Sequence, residues 1–422
     1  MQQKIDGLLV PKLRFPEFLD AGEWEEKKLL EVCDVNPSNE ELPEFFIYID
    51  LESVVAGKLM YKKKICKKDA PSRAQRLLKN GDVIYQVVRP YQRNNFLFNF
   101  DDRNNYVAST GYAQLRSFGV SEFLYQLIHT DTFVNKVIAK CTGSNYPAIN
   151  SSDLAEINVV IPLYSEQQKI ADCLSSISDR ITLESQKLDT LKAHKKGLMQ
   201  QLFPAEGETM PKLRFPEFGE SWEKSTLDRL IDFQSGYAFQ SEYFSEQGEK
   251  LLTPKNFTKN GYADFNKRNT KYTVEDFDPK YVCKEGDLLL LLTDLTPSCE
   301  LLGKPLLLIK SDGDVLLNQR IVQIISKGSI KIGFLFYFFL TESFHKRITD
   351  TATGSTVRHS SNKIISSTEI YFPLEREQQK IADCLSSLDE LIAAQAQAID
   401  TLKTHKKGLM QQLFPSVEEV KG

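Results

Sequence analysis

The chain repeats itself, and the repeat is interrupted in a way that few folds can satisfy. PKLRFPEF occupies 11–18 and returns at 211–218, followed each time by a tryptophan, Trp24 and Trp222. EQQKIADCLSS at 166–176 returns at 377–387, and HKKGLMQQLFP at 194–204 returns at 405–415. Across 166–204 the second copy lies 211 positions on without a gap, and 28 of 39 residues are identical. Between these blocks the halves share only a skeleton: Gly81-Asp82 beside Gly286-Asp287, Thr142-Gly143-Ser144 beside Thr353-Gly354-Ser355, and Pro162 beside Pro373. A period near 210 residues is far outside the 20–50 of solenoid repeats. It fits a pseudo-dimer in one chain, with two segments held to one job and two free to differ. A recent duplication without consequence would have left the intervening segments alike as well. Near-identical blocks could also serve recombination of the gene, which is compatible with a role in the protein.

The fixed segments read as long helices. Ile170, Leu174, Ile177, Ile181, Leu188, Leu191, Leu198 and Leu202 fall at alternating spacings of four and three once Glu184 and Lys195 are counted as polar seam members. The second copy repeats the pattern from Ile381 to Leu413, with Gln395 and Lys406 at the polar places. This is an a/d heptad, and polar seam residues fix register and partner at a cost in stability. The two helices are therefore expected to pair with each other. Pro162 and Pro373 precede them, Ser165 with Gln168 forms a possible capping box, and Pro204 and Pro415 end them.

Off the seam, Gln168, Lys169, Asp172, Lys196, Gly197, Gln200 and Gln201 recur as Gln379, Lys380, Asp383, Lys407, Gly408, Gln411 and Gln412. The seam does not need them. A glycine in a helix interior costs about 1 kcal/mol relative to alanine, so Gly197 and Gly408 suggest another protein packing closely at two equivalent places.

The remaining composition narrows the class. At 41% apolar and 26% charged over 422 residues, the chain is an ordinary globular protein of two to three domains. The first residues contain no apolar export segment, so a cytoplasmic protein is expected. Seven cysteines without a CxxC spacing argue against a disulfide framework and a zinc site. No glycine-rich phosphate loop, HExxH or His metal spacing is present, so neither catalytic nor metal-ligating residues are assigned. Binding is the better reading. The net charge of −4 hides an asymmetry: residues 61–93 carry ten basic side chains against two acids. That is either a local anion-binding face or a solvated strand.

Two divergent domains alternating with two near-identical helices, the PKLRFPEF motif, EQQKIA after an extended proline segment and the KKGLMQQLF helix end together resemble the specificity subunit of a type I restriction-modification enzyme. The likeness covers essentially the whole chain. It implies two α+β target recognition domains, each reading half of a bipartite, gapped DNA site, joined by an antiparallel coiled coil that sets the spacer. It further implies two docked methyltransferase subunits carrying S-adenosylmethionine and restriction subunits using ATP and magnesium, with no cofactor in this chain and no catalysis by it. The corresponding segments are a first recognition domain at 1–163, a helix at 164–204, a second recognition domain with its linker at 205–375, a helix at 376–415 and a tail at 416–422.

Within that frame, GDVIYQVVRPYQRNNF (81–96) reads as a strand and a polar turn. Arg89, Gln92, Arg93 and Asn94 offer hydrogen-bonding forks for guanine and adenine beside Tyr91. Lys62, Lys63, Lys64, Lys67 and Lys68 suit phosphates, which position without specifying. The aligned segment of the second domain offers Thr293, Asp294, Thr296 and Ser298, with Asp294 able to accept from cytosine N4. The two half-sites should therefore differ. Thr142, Gly143, Ser144 and Asn145, with Thr353, Gly354, Ser355 and Arg358, form turns that either approach the DNA closely or serve only the chain path. Strands are expected at Phe45–Ile49, 83–88, 288–292, 306–309 and 321–325, with helices near 121–140 and 331–348. Trp24 and Trp222 are expected in the cores. Two rival functions remain: a scaffold whose heads bind proteins, and a stand-alone nuclease.

Overall fold

The structure is a computed structural model and describes residues 9–38, 41–143, 145–294, 299–354 and 357–415. The chain divides into two compact units, residues 1–186 with 397–422 and residues 187–396, so each long helix is shared between them. In the first unit α1 (Ser121–Leu127), α2 (Asp131–Lys140) and α3 (Ser151–Ala155) precede α4 (Tyr164–Leu202). In the second, α5 (Leu227–Leu230), α6 (Ile332–Leu340), α7 (Glu342–Asp350) and α8 (Asn362–Ser366) precede α9 (Glu375–Leu413). The helix expected near 121–140 is thus two, as is the one near 331–348. Thr130 and Thr341 break them, each accepting a capping hydrogen bond from a later backbone amide, that of Phe133 or Phe344. Ser165 lies inside the first turn of α4 rather than capping it.

The two divergent domains share almost no sequence and one strand plan. The first has an antiparallel sheet ordered Cys33–Val35, Tyr112–Ser117, Asp82–Gln86, Phe96–Leu97. The second has Ile231–Ser235, Ile321–Ser326, Leu288–Leu291, Pro305–Leu307 in the same order. A second sheet in each contains one parallel pair: Phe45–Ile49 with Tyr106–Ser109, and Glu249–Leu252 with Val315–Leu317. Glu25–Lys28 pairs with Asn158–Ile161 as Glu223–Thr226 pairs with Glu369–Phe372. The Gly-Asp skeleton has a backbone reason. Gly81 and Gly286 sit at φ +90° and +87°, where a side chain is strained, and the next aspartate accepts from the amide of Lys79 or Lys284 at 2.7 Å.

The long helices, 39 residues and roughly 58 Å each, pack together antiparallel. In the first unit Ile170 and Leu174 of α4 share a core with Leu413 and Phe414 at the end of α9. In the second, Ile381 and Leu385 of α9 share a core with Leu202 and Phe203 at the end of α4. The tryptophans complete these ends: Trp24 lies edge-on to Phe414 at 6.0 Å, and Trp222 packs on Phe334, which also meets Phe203 at 5.1 Å.

The PKLRFPEF segments lock each unit. Arg14 makes two 2.7 Å hydrogen bonds to Glu166, and Leu13 N donates to Gln412 O at 3.0 Å. One repeat on, Arg214 binds Glu377 at 2.9 and 2.6 Å, and Leu213 N donates to Gln201 O at 2.9 Å. Each segment therefore ties the start of one long helix to the end of the other. The following glutamine closes the helix start, with Gln167 and Gln378 donating to Pro162 O and Pro373 O.

Candidate nucleic-acid interface

The fold brings the two candidate loops of each recognition domain side by side. In the first, the strand Asp82–Gln86 runs out through Val88, which bridges to Ala148, while Thr142 bridges to the same Ala148. Arg89 N donates to Pro147 O at 2.8 Å, and its guanidinium stacks 4.3 Å from the Tyr146 ring centre. Arg89 and Arg93 both adopt left-handed backbone, φ +55° and +54°, flanking a single 3₁₀ turn. Such conformations cost of order 1–3 kcal/mol for a non-glycine residue and gather at functional loops. Tyr91 and Tyr146 are exposed beside Arg89.

The other forks of this loop are partly spent inside the protein. Arg93 donates to His129 O and ion-pairs with Asp131 at 2.6 Å, which holds that carboxyl below its usual range. Gln92 Oε1 accepts from Gln86 Nε2, and Asn94 Oδ1 accepts from Ala56 N. Thr142, Gly143 and Asn145 are exposed at the hairpin tip. Gly143, at φ +91°, has the Tyr146 carbonyl 3.0 Å from where a Cβ would stand, so the chain path itself requires glycine there. The lysine run is exposed throughout, and Lys63–Cys66 is an edge strand, where lysines also discourage unwanted pairing. Lys62 ion-pairs with Asp102 at 2.9 Å and Lys67 with Glu41 at 2.6 Å, while Lys63, Lys64 and Lys68 are exposed and make no ion pair among the described residues.

In the second domain the strand Thr293–Asp294 pairs antiparallel with Arg358–His359, and Thr353 bridges to His359. Thr293 Oγ1 lies 3.2 Å from His359 Nδ1. Thr293 and Asp294 both depart from the expected base-reading role: they are 6% and 4% exposed, and the Asp294 carboxylate accepts from Leu301 N at 2.8 Å. Arg358 donates to Gly354 O at 2.9 Å and bridges to Cys299 Sγ. Thr353, Gly354 and His359 are exposed. Gly354 again meets a carbonyl, that of Val357, where a Cβ would stand. Ser144, Thr296, Ser298 and Ser355 lie outside the described residues. Tyr146 and His359, which end the two candidate turn segments in the sequence, join these sites because the hairpin folds back onto the strand end.

The repeated helix residues divide into those used within the chain and those left open. Lys169 pairs with Glu17 and Lys380 with Glu217, 3.0 and 2.9 Å apart. Gln168 donates to Asp172, and Gln379 to Asp383, both at 2.8 Å. Lys196 ion-pairs with Glu342 of α7 at 2.9 Å, and Gln200 approaches the same carboxylate. Asp131 of α2 stands correspondingly near Lys407 and Gln411. Gln201 and Gln412 contribute their backbone carbonyls to the PKLRFPEF segments. At Gly197 and Gly408 a Cβ would meet nothing within 4 Å.

Among the described residues no helix is long and apolar enough to cross a membrane, and no group of three or more His, Cys, Asp or Glu side chains is placed to hold a metal ion. The family model for the type I restriction modification DNA specificity domain matches residues 21–193 and again 219–404. The chain is 28% identical over 288 residues to the type I restriction enzyme MjaVIII specificity subunit of Methanocaldococcus jannaschii, covering 66% of each protein. It is 26% identical over 266 residues to the EcoAI specificity subunit of Escherichia coli, covering 60% of this chain and 41% of that one. Among solved structures, the S subunit of a type I restriction-modification system from M. genitalium has the same fold, with a TM-score of 0.61 at 16% identity over 97% of this chain and 100% of that one. A chain from a type I system, solved to explain complex assembly and conformational transition, gives 0.55 at 21% identity over 93% of this chain and 98% of that one.

Proposed function

Because the chain belongs to the type I restriction-modification DNA specificity family and carries the domain twice, we propose that it chooses an asymmetric, bipartite, gapped DNA site for a methyltransferase and restriction complex. One observation carries this reading. Both recognition domains use one strand plan to set the same two loops side by side, yet the loops present different chemistry. Arg89, Tyr91 and Tyr146 stand in one, and Arg358 and His359 in the other. Base edges are distinguished by such donor and acceptor patterns, so one scaffold with two chemistries reads two unlike half-sites.

Arg89 is the strongest base reader of the first domain. Its guanidinium is braced by a ring and its backbone is fixed, so a fork that matches guanine O6 and N7 is already oriented. The exposed lysines on and beside the edge strand Lys63–Cys66 contribute phosphate contacts, which set position. On the helices, Gly197 and Gly408 leave room that the chain does not fill, at two equivalent places. Two methyltransferase subunits dock there, and restriction subunits join that assembly. S-adenosylmethionine, ATP and magnesium belong to those partners, and the complex works in the cytoplasm.

The test is co-expression with a cognate methyltransferase subunit, followed by mapping of methylated adenines across the host DNA. A gapped motif with unlike halves, lost when this chain is omitted, is the expected result. A stable complex that methylates nothing new overturns the reading in favour of a scaffold.

A further inference from the structure

The two units differ sharply at one repeated lysine. In the second unit Lys195 is 9% exposed, and its ammonium ion-pairs with Asp389 of α9 at 2.5 Å. The other carboxylate oxygen accepts from Tyr337 at 2.8 Å and from Tyr262 at 3.3 Å. A buried cation is thus matched by an anion whose remaining lone pairs are satisfied, as burial demands.

In the first unit the same lysine is Lys406, and each of its neighbours is replaced. Ser178 stands where Asp389 does and Gln126 where Tyr337 does, 211 positions earlier. Tyr262 follows Gly261, which abuts Phe336; Lys58 follows Gly57, which abuts Tyr125, the counterpart of Phe336. No carboxylate pairs with Lys406 among the described residues. Instead of a filled seam there is a cleft of about 1120 Å³. Five lysines and Arg93 line it, and Asp131 is its one acidic lining residue, already paired with Arg93. Lys406 is half-buried where Lys403 and Lys407 are exposed. Burial holds the ammonium groups of both Lys406 and Lys136 below their ordinary range, so this arrangement costs the free chain stability.

We propose that this cleft is a phosphate site, filled by the DNA backbone beside the first half-site, with Lys406 supplying the charge that Asp389 neutralises in the second unit. The inference rests on the DNA-reading function above. DNA is favoured as the source of the anion because Gln92 and Arg93, which line the cleft, belong to the same loop as Arg89. A phosphate entering here continues from the base-reading surface. The first half-site is then held by a contact on the fixed helix that the second lacks.

The test uses the full chain with its methyltransferase subunits and a duplex carrying the mapped motif, with affinity followed from 50 to 200 mM salt. Each phosphate neutralised steepens the dependence of log affinity on log salt by about 0.9. Lys406→Met should therefore lose about threefold less affinity than the unaltered complex across that range. Ser178→Asp, which installs the missing carboxylate and keeps the lysine, should do the same, so the result does not hang on one variant's folding. Lys195→Met should leave the salt slope unchanged. The methylated motif should persist in all three.

Unchanged slopes for Lys406→Met and Ser178→Asp overturn the proposal. So does loss of methyltransferase binding at constant DNA affinity, which would mark an acidic protein segment as the occupant. Stabilisation of the chain by inorganic phosphate alone, with unchanged slopes, would overturn it in favour of a free-anion site. If the unaltered complex binds DNA without salt dependence, the parent reading fails too; a gapped motif with unchanged slopes sinks only this inference.

Discussion

Arg14→Met tests whether the PKLRFPEF segment is a structural lock. The Arg14 and Glu166 side chains are 5% and 1% exposed. Glu166 takes two 2.7 Å bonds from the guanidinium and a third from Trp24 Nε1 at 3.3 Å. The pairing raises the arginine's already high pKa further. Methionine leaves the Glu166 carboxylate buried with only the indole N–H. Breaking a buried pair from one side costs about 3–5 kcal/mol. For a folding unit of this size each kcal/mol moves the midpoint by about 2–4 °C, so the first unit should melt roughly 6–20 °C lower. Calorimetry of the full chain reads this directly. Arg14→Met with Glu166→Gln should recover much of the loss, because no charge is then stranded. In the second unit Arg214 is 16% exposed and Trp222 Nε1 has no hydrogen-bond partner among the described residues, so Glu377 lacks the indole bond and Arg214→Met should cost less. A loss below about 1 kcal/mol for Arg14→Met, or a double variant no better than the single one, would refute the reasoning.

Three further outcomes are expected. Arg89→Ala should relax one position of the first half-site, worth about 1–3 kcal/mol of discrimination, and leave the second half intact when methylated sites are mapped; equal loss in both halves contradicts the assignment. Removing residues 184–190 together with 395–401 shortens each helix by about 10 Å, close to three base pairs, so the gap in the methylated motif should shrink by about three while both halves persist; an unchanged gap refutes the ruler. His129 lies at about 4 because enclosure disfavours its charged form, whereas an unfolded histidine titrates near 6.5. As the pH falls from about 6.5 to about 4 the unfolded chain takes up the proton first, so up to about 3 kcal/mol of stability should drain from the first unit; urea unfolding across that range should show the slope, and His129→Asn should flatten it.

The repeat and the heptads made the long helices legible because both signals are periodic and local. The apolar runs at Phe45–Ile49 and 288–292 were legible as strands for the same reason. The second sheets were less so, since strands such as Ala74–Leu77 and Lys271–Thr273 are three or four residues long and half-exposed, too short for alternation to register. Splitting of the helices turns on Thr130 and Thr341, whose capping role depends on what the next three residues do. The candidate site was half visible. Side-chain chemistry pointed to Arg89, but it also pointed to the buried Thr293, and which side chains are buried or spent internally depends on partners far away in sequence. Arg93 is taken by Asp131, and Asp294 by the amide of Leu301. Tyr146 and His359 lie in the turn segments that the sequence offered, but their place beside Arg89 and Thr293 comes from hairpin geometry that no local pattern announces.

Why the blocks stay alike while the domains drift follows from how many partners each residue has. Arg14, Leu13, Glu17, Glu166, Gln167 and Lys169 hold one another and the end of α9, and their counterparts do the same one repeat later. A change in any of them must be answered across the lock. The recognition domains are held to less: a glycine where φ is positive, an aspartate that caps the turn, a threonine that restarts a helix. Everything between those points can change without disturbing the strand order, which is the freedom a protein needs if its targets are to vary. The same counting locates the exceptional position. Lys195 and Lys406 occupy a place where the two copies share the lysine but not its neighbour, and they have answered that charge in different ways, one with Asp389 and one with an open cleft.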